Sequence, residues 1–403
     1  MSSQAVPSLN RPALASRIGV HDQVLFALVL AAAIAALSSG FVAVAPNRLI
    51  SGQPISLWSA TDGKFAAGIV VVAGLLLAVS LSPPHRAMYC IAATLAAMWL
   101  LLTFAALGNA AHTLTAGGPA VARISAGTSF WVIAGCAALA VVDALQRLRA
   151  GPMLMAATLT ALCGGTVLLA FSGSFDQLSI AREYATRHAL FAGALIRHIT
   201  LVAGSVGPAL LIGFPLGLAA ARRPGLQGPL FATLNLLQTV PSIALFGLLI
   251  VPLSALAAAV PRLASMGVGG IGPAPAIIAL VLYALLPIVR NTTTGISGVD
   301  PAVIDAARGM GLTPRQIFCH IEFPLALPML FVGLRIVTVQ TIGLAVVAAL
   351  IGAGGFGTFV FEGLGQYALD LVLLGALPAI GLSLAADFVL HMGSALLVRA
   401  RPG

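Results

Sequence analysis

Apolar runs of about 20 residues, parted by short polar stretches, dominate this chain. They fall at residues 24–45, 65–82, 87–108, 128–145 and 152–172, then at 199–221, 229–252, 272–290, 325–352 and 368–398. About 20 apolar residues in helix cross a hydrocarbon layer of ~30 Å. A helix also satisfies its own backbone hydrogen bonds there. The pattern therefore predicts an all-α, polytopic helical membrane protein of about ten spans. A polar piece with Asp176, Arg182, Glu183 and Arg187 parts the spans five and five. It predicts an N-terminal membrane region over 1–172, a linker over 173–198 and a second membrane region over 199–403.

One polar island interrupts the second half, at residues 300–324. Asp300 is a good N-cap, and Pro301 sits at the first helical position, where its missing N–H does no harm. Val303, Ile304 and Ala307 share one helical face, with Asp305 and Arg308 off it. Gly311 is placed to end that helix in a left-handed conformation. Thr313-Pro314 repeats the cap-and-proline start. Ile317, Phe318 and Ile321 form a second apolar stripe, and Pro324 is expected to close it. The island thus predicts two short amphipathic helices at an angle about Gly311.

Composition agrees with the class. The chain of 403 residues is 60% hydrophobic and only 8% charged, where soluble domains carry roughly 25% charged residues. The net charge of +9 raises the question of nucleic acid. In so apolar a chain basic residues usually anchor cytoplasmic loops, and the island holds nearly as many acids as bases, so no nucleic-acid partner is expected. With the N-terminus cytoplasmic and all ten runs crossing, twelve arginines fall inside, among them Arg11, Arg17, Arg308, Arg315, Arg399 and Arg401. Seven basic residues, including Arg48, fall outside. That bias predicts both termini and the island in the cytoplasm, and the 173–198 linker on the opposite side. Nine or eleven crossings would reverse one end. Arg11 and Arg17 before the first run and Ala43-Val44-Ala45 after it suggest a signal peptide. The run is too long for one, and reads as an anchor. Cys90, Cys136, Cys163 and Cys319 lack metal or redox spacing and are expected as free thiols.

Asp305-Ala306-Ala307, then Gly311, then Ile321-Glu322-Phe323-Pro324 resembles the cytoplasmic EAA loop of ABC-importer permeases, with Asp for Glu at 305 and Phe for Leu at 323. The resemblance implies that Asp305, Ala306, Ala307, Gly311, Ile321 and Pro324 couple the chain to an ATPase subunit. Leu236-Leu237-Gln238-Thr239-Val240-Pro241-Ser242, Tyr283 to Thr292, Gly333-Leu334-Arg335 and Leu350 to Gly357 are similar to the core of glycine betaine and choline permeases. This likeness covers about residues 195–395. It implies a type I ABC-importer permease core in the C-terminal half, in the bacterial inner membrane. It further implies a periplasmic substrate-binding protein and a second permease subunit, identical or not. The first five spans look like the N-terminal extension that some permeases of this branch carry, with scaffolding as their expected role. A permease of the same architecture for another small solute, such as an amino acid, is the rival within transport. A membrane enzyme or regulatory scaffold is the rival outside it, and Asp143 is the only acid it could use within the first five spans.

Three constellations could serve transport. Asn235, Gln238 and Ser242, with Thr239 beside them, would share one polar face of a 229–252 helix. Such a face lines a substrate path, or glues helices together. Arg335 and Asp387 lie at similar depth in their spans, where a lone charge is costly. They are expected to pair, the alternative being an Arg335 that snorkels or lines water. Glu362, Tyr367 and Asp370 follow a glycine-rich turn and could meet a binding protein. The few Trp and Tyr residues do not cluster, so a tight aromatic cage for a quaternary ammonium is not expected here. No Gly-x-x-x-x-Gly-Lys-Ser/Thr loop is present, so ATP hydrolysis is expected from a separate subunit. No catalytic constellation, cofactor site or metal site stands out.

Overall fold

The computed structural model describes residues 20–47, 52–116, 122–265 and 267–399. Arg11, Arg17, Arg48 and Arg401, used above to orient the chain, lie outside them. The chain forms two compact units, 1–178 and 179–403. Nine helices among the described residues are long and apolar enough to cross a membrane.

The first unit contains α1 (Gln23–Ser38), β1 (Val42–Ala45), β2 (Gln53–Ile55), α2 (Leu57–Ala60), α3 (Gly63–Ser80), α4 (Arg86–Ala116), β3 (Arg123–Ala126), α5 (Thr128–Arg147) and α6 (Pro152–Phe171). Asp22 caps α1 by accepting from the Leu25 N–H at 3.0 Å. Leu25, Val29 and Ala32 then bury one face of that helix. Asp22 also takes Arg147 at 3.1 Å, and Asp143 takes the same guanidinium at 2.7 Å. The first apolar run does not stay helical to residue 45. The chain turns extended at Ser39, and Val42–Ala45 joins an antiparallel sheet of order β2-β1-β3. Val42 and Val44 suit a strand, and Gly127 and Phe41 lock the corner through a 2.8 Å backbone bond. By contrast, α6 buries none of its residues within this unit, as expected of a helix that is apolar all round and faces lipid.

The second unit contains α7 (Ser179–Arg222), α8 (Pro224–Thr239), α9 (Ser242–Ala259), α10 (Pro261–Ser265), α11 (Pro273–Ser297), α12 (Pro301–Gly309), α13 (Pro314–Ile317), α14 (Phe323–Val347), α15 (Gly357–Gly365) and α16 (Leu369–Arg399). A π-turn, Phe318–Glu322, joins α13 to α14, and a 3-10 turn, Ala348–Ile351, follows α14. At its centre α11 packs against α7 and α14.

Three expectations need correction. Residues 173–198 are not a linker: α7 begins at Ser179 and runs 44 residues, with one non-helical residue at Arg187. Two of its charged residues pair: Arg187 is bonded to Glu183 at 2.9 Å and to Glu362 at 2.7 Å. Second, 229–252 is not one helix. The chain is extended at Val240 (ψ 127°) and Pro241 (ψ 138°), because proline disfavours helical backbone in the residue before it. Third, Pro324 does not close a helix. The π-turn, where the Phe323 N–H reaches the Phe318 carbonyl, carries the helical path onward, and Pro324 stands in the first turn of α14. There its missing N–H is tolerated.

Glycine sets the distance between α7 and α11. A Cβ on Gly217 would lie 2.5 Å from the Thr292 Cβ and 2.9 Å from the Val289 carbonyl oxygen. Gly217→Ala is expected to destabilise the unit by about 1–3 kcal/mol through overpacking. Thermal unfolding of the purified protein in detergent checks it, and an unchanged midpoint would show that the two helices slide apart freely.

Candidate functional site

The site is the hairpin of α12 and α13. Its ends are fixed by local chemistry. The Asp300 carboxylate accepts from the Ala302 N–H at 2.9 Å, which caps α12. Gly311 stands at φ +81° with nothing near its missing Cβ, so backbone conformation alone calls for glycine. Thr313 and Gln316 form a reciprocal capping box at the start of α13. Ala307 is fully buried at the bend, and its carbonyl accepts from the Leu312 N–H at 3.2 Å. Asp305 and Arg308 pair at 3.0 Å on the exposed face, and a pair so exposed contributes little to stability. Met310 is 71% exposed at the tip, and Val303 is exposed in the first turn of α12. An apolar tip on a polar, well-capped hairpin has the composition of a docking surface.

The hairpin is fastened to the helices behind it. Glu322, 3% exposed at its side chain, receives both terminal nitrogens of Arg222, one at 2.8 Å. Arg222 is the last residue of α7. Phe323 packs edge-on against Phe214 of α7, ring centroids 5.9 Å apart, and tilts against Phe318 at 6.1 Å. Ile317 is buried and Ile321 half-buried in the same packing. The sequence alone missed the joint of Arg222 and Glu322. The only signal was an acid inside the apolar Ile321-Glu322-Phe323 stretch, which needs a partner if buried.

Elsewhere the structure separates some residues and joins others. Asn235, Gln238 and Thr239 lie on α8, whereas Ser242 begins α9 beyond the break. Gln238 donates to the Tyr283 carbonyl at 2.9 Å, and the Tyr283 hydroxyl donates to the Val240 carbonyl, bracing the break against α11. Asn235 and Thr239 are exposed, and Arg290 approaches the Asn235 side-chain oxygen at 3.4 Å. Arg335 on α14 and Asp387 on α16 meet in a two-bond ion pair, one bond 2.8 Å long. Of the three residues expected at a binding-protein contact, two are otherwise engaged. Asp370 is buried and accepts from Ser179 at 2.6 Å, and Glu362 holds Arg187 and Gln366. Tyr367 is 94% exposed, at φ +56°.

Residues 213–394, which carry this hairpin and its supports, match the family described as "Binding-protein-dependent transport system inner membrane component". The chain is the membrane-spanning permease subunit of an ABC importer, and not itself an enzyme. Residues 17–181 match "ABC transporter permease YehY, N-terminal domain". Over 200 residues the chain is 41% identical to the osmoprotectant import permease protein OsmW of Salmonella typhimurium, covering 50% of this chain and 88% of that one. It is 38% identical to the carnitine transport permease protein OpuCB of Listeria monocytogenes, over 48% of this chain and 82% of that one. Against the choline transport system permease protein OpuBB of Bacillus subtilis it is 36% identical, over 50% and 86%. The chain thus belongs to the family of glycine betaine, choline and carnitine ABC-importer permeases, with a YehY-type domain ahead of the permease core. A chain of the inward-facing MetNI methionine transporter also aligns, over 53% of this chain and 98% of its own, at TM-score 0.46 and 22% identity, a likeness too slight to bear on the assignment.

Proposed function

We propose that this chain carries a quaternary-ammonium osmolyte, glycine betaine, choline or carnitine, across the inner membrane, with residues 300–324 as the lever of an ATPase subunit. The observation that carries the reading is the exposed hairpin. Two capped helices pivot on a left-handed Gly311, offer Met310 and Val303 outward, and are anchored inward through Glu322. The 41% identity with an osmoprotectant permease supports the substrate class. Asp305 and Ala306, both exposed, present the docking face, Ala307, buried beneath them, sets the bend that shapes it, and Ile321 and Pro324 join it to α14. The hairpin faces the cytoplasm, as does the C-terminus, two spans further on. A binding protein delivers substrate from the other side, and a second permease, identical or related, completes the pathway. Residues 1–172 form an accessory membrane region.

Asn235 and Thr239, polar and exposed on α8, line the route. An exposed amide facing hydrocarbon would be costly, whereas one facing a wet pathway is not. The Arg335–Asp387 pair fixes α14 to α16.

Proteoliposomes holding this permease with its ATPase and binding protein test the reading. ATP-dependent uptake of labelled glycine betaine, choline or carnitine is expected, with none of labelled methionine or histidine. Uptake of an amino acid alone would move the chain to another substrate class.

A further inference from the structure

Helix α7 is clamped at two places far apart. At its last residue, Arg222 holds Glu322 of the π-turn. Further up the same helix, Arg197 Nε donates to the Ala353 carbonyl at 3.1 Å. The next residue, His198, is fully buried, bonds the Ile342 carbonyl through Nε2 at 3.1 Å, and packs its ring, tilted by 37°, against Phe356 with centroids 5.0 Å apart. Ala353 and Phe356 belong to the turn between α14 and α15. Gly352, Gly354 and Gly355 all adopt positive φ there, between +76° and +84°, which makes the turn a natural hinge. The turn also packs tightly on Arg197 and His198: a Cβ on Gly354 would lie 3.2 Å from the Arg197 Cγ, and one on Gly355 3.0 Å from His198 Nδ1.

The 24 steps from His198 to Arg222, at 1.5 Å each, separate the clamps by about 36 Å, more than the hydrocarbon thickness of ~30 Å. Pro208 and Pro215 fall between them and would weaken a free helix. Here α11 lies along that stretch, with Gly213 against Ile288 and Gly217 against Thr292. The only non-helical residue of α7 is Arg187, outside the clamped stretch.

We infer that α7 is a connecting rod: Arg222–Glu322 ties it to the hairpin on one side of the membrane, and Arg197 with His198 ties it to the glycine hinge on the other. Motion of the hairpin then reaches the hinge through α7, and these four residues are positioning residues for transport. The inference rests on the hairpin being the ATPase contact.

The test uses the complete complex of permease, ATPase and binding protein, with the four native cysteines changed to serine and Thr358→Cys as reporter. Thr358 is exposed on the first turn of α15, beside the hinge. In the parent, ATP is expected to change the rate at which a thiol reagent labels that cysteine. In Glu322→Gln, the ATPase should still co-purify and hydrolyse ATP, but the ATP-driven change in labelling should fall about fivefold or more. Substrate moved per ATP should fall with it. The exchange Arg222→Glu with Glu322→Arg should restore both. Arg197→Ala, remote from the ATPase contact, should lose the labelling change in the same way, which keeps the test open if the exchanged pair fails to fold. A parent-like labelling change in both Glu322→Gln and Arg197→Ala overturns the rod. If the unmodified permease fails to bind the ATPase through its hairpin, the coupling reading itself has failed, a different and distinguishable result.

Discussion

Ala307→Arg is expected to abolish transport while leaving the membrane core folded. Ala307 is fully buried at the bend between α12 and α13, where its carbonyl takes the Leu312 N–H. A guanidinium has no room there, and burying it unpaired is prohibitive, so the hairpin must open. The core helices do not depend on that bend. The thermal midpoint of the purified permease should shift little, ATPase co-purification should be lost, and uptake should fall by more than about tenfold, since a misplaced coupling element forfeits well over 1.4 kcal/mol of useful interaction. Uptake near the parental rate would mean the bend carries no coupling.

The second large effect concerns Arg335 and Asp387. Asp387→Ala leaves a guanidinium without its partner partway along a membrane helix. Such a charge costs on the order of 2.5–3.5 kcal/mol on insertion scales, and in an apolar span removing one partner leaves that charge unmatched, whereas removing both does not. Asp387→Ala is therefore expected to destabilise the permease by roughly that amount, whereas Arg335→Leu with Asp387→Leu should recover most of the loss. Unfolding in nanodiscs, run as a double-mutant cycle, measures the coupling. Additive losses would show that the two side chains work independently.

Much of this was legible in the residues because it is local. Asp300-Pro301, Gly311 and Thr313-Pro314 announce two helix starts and a left-handed stop within fifteen residues, and the backbone follows them. The meeting of Arg335 with Asp387 is the non-local exception, legible because each charge stands at similar depth in an apolar span and needs a partner there. What failed was non-local, or hinged on one residue. Val42–Ala45 extends an apolar run that looks helical, and only its partners at 53–55 and 123–126 make it a strand. Gln238 and Ser242 have helical spacing, yet Pro241 sends them to different helices. The polar stretch before His198 looks like a linker because Glu183 and Arg187 carry charge, but Arg187 finds a second partner, Glu362, 175 residues away. The Arg222–Glu322 joint spans 100 residues, and nothing in the local pattern of either residue points to the other.

The central claim is that an ATPase grips this hairpin from the cytoplasm. Met310, the exposed apolar tip, is the place to ask. With a photo-crosslinking amino acid at Met310 in the assembled transporter, illumination of cells should join the permease to its ATPase subunit. Adducts only to lipid or to a protein on the periplasmic side would contradict the account.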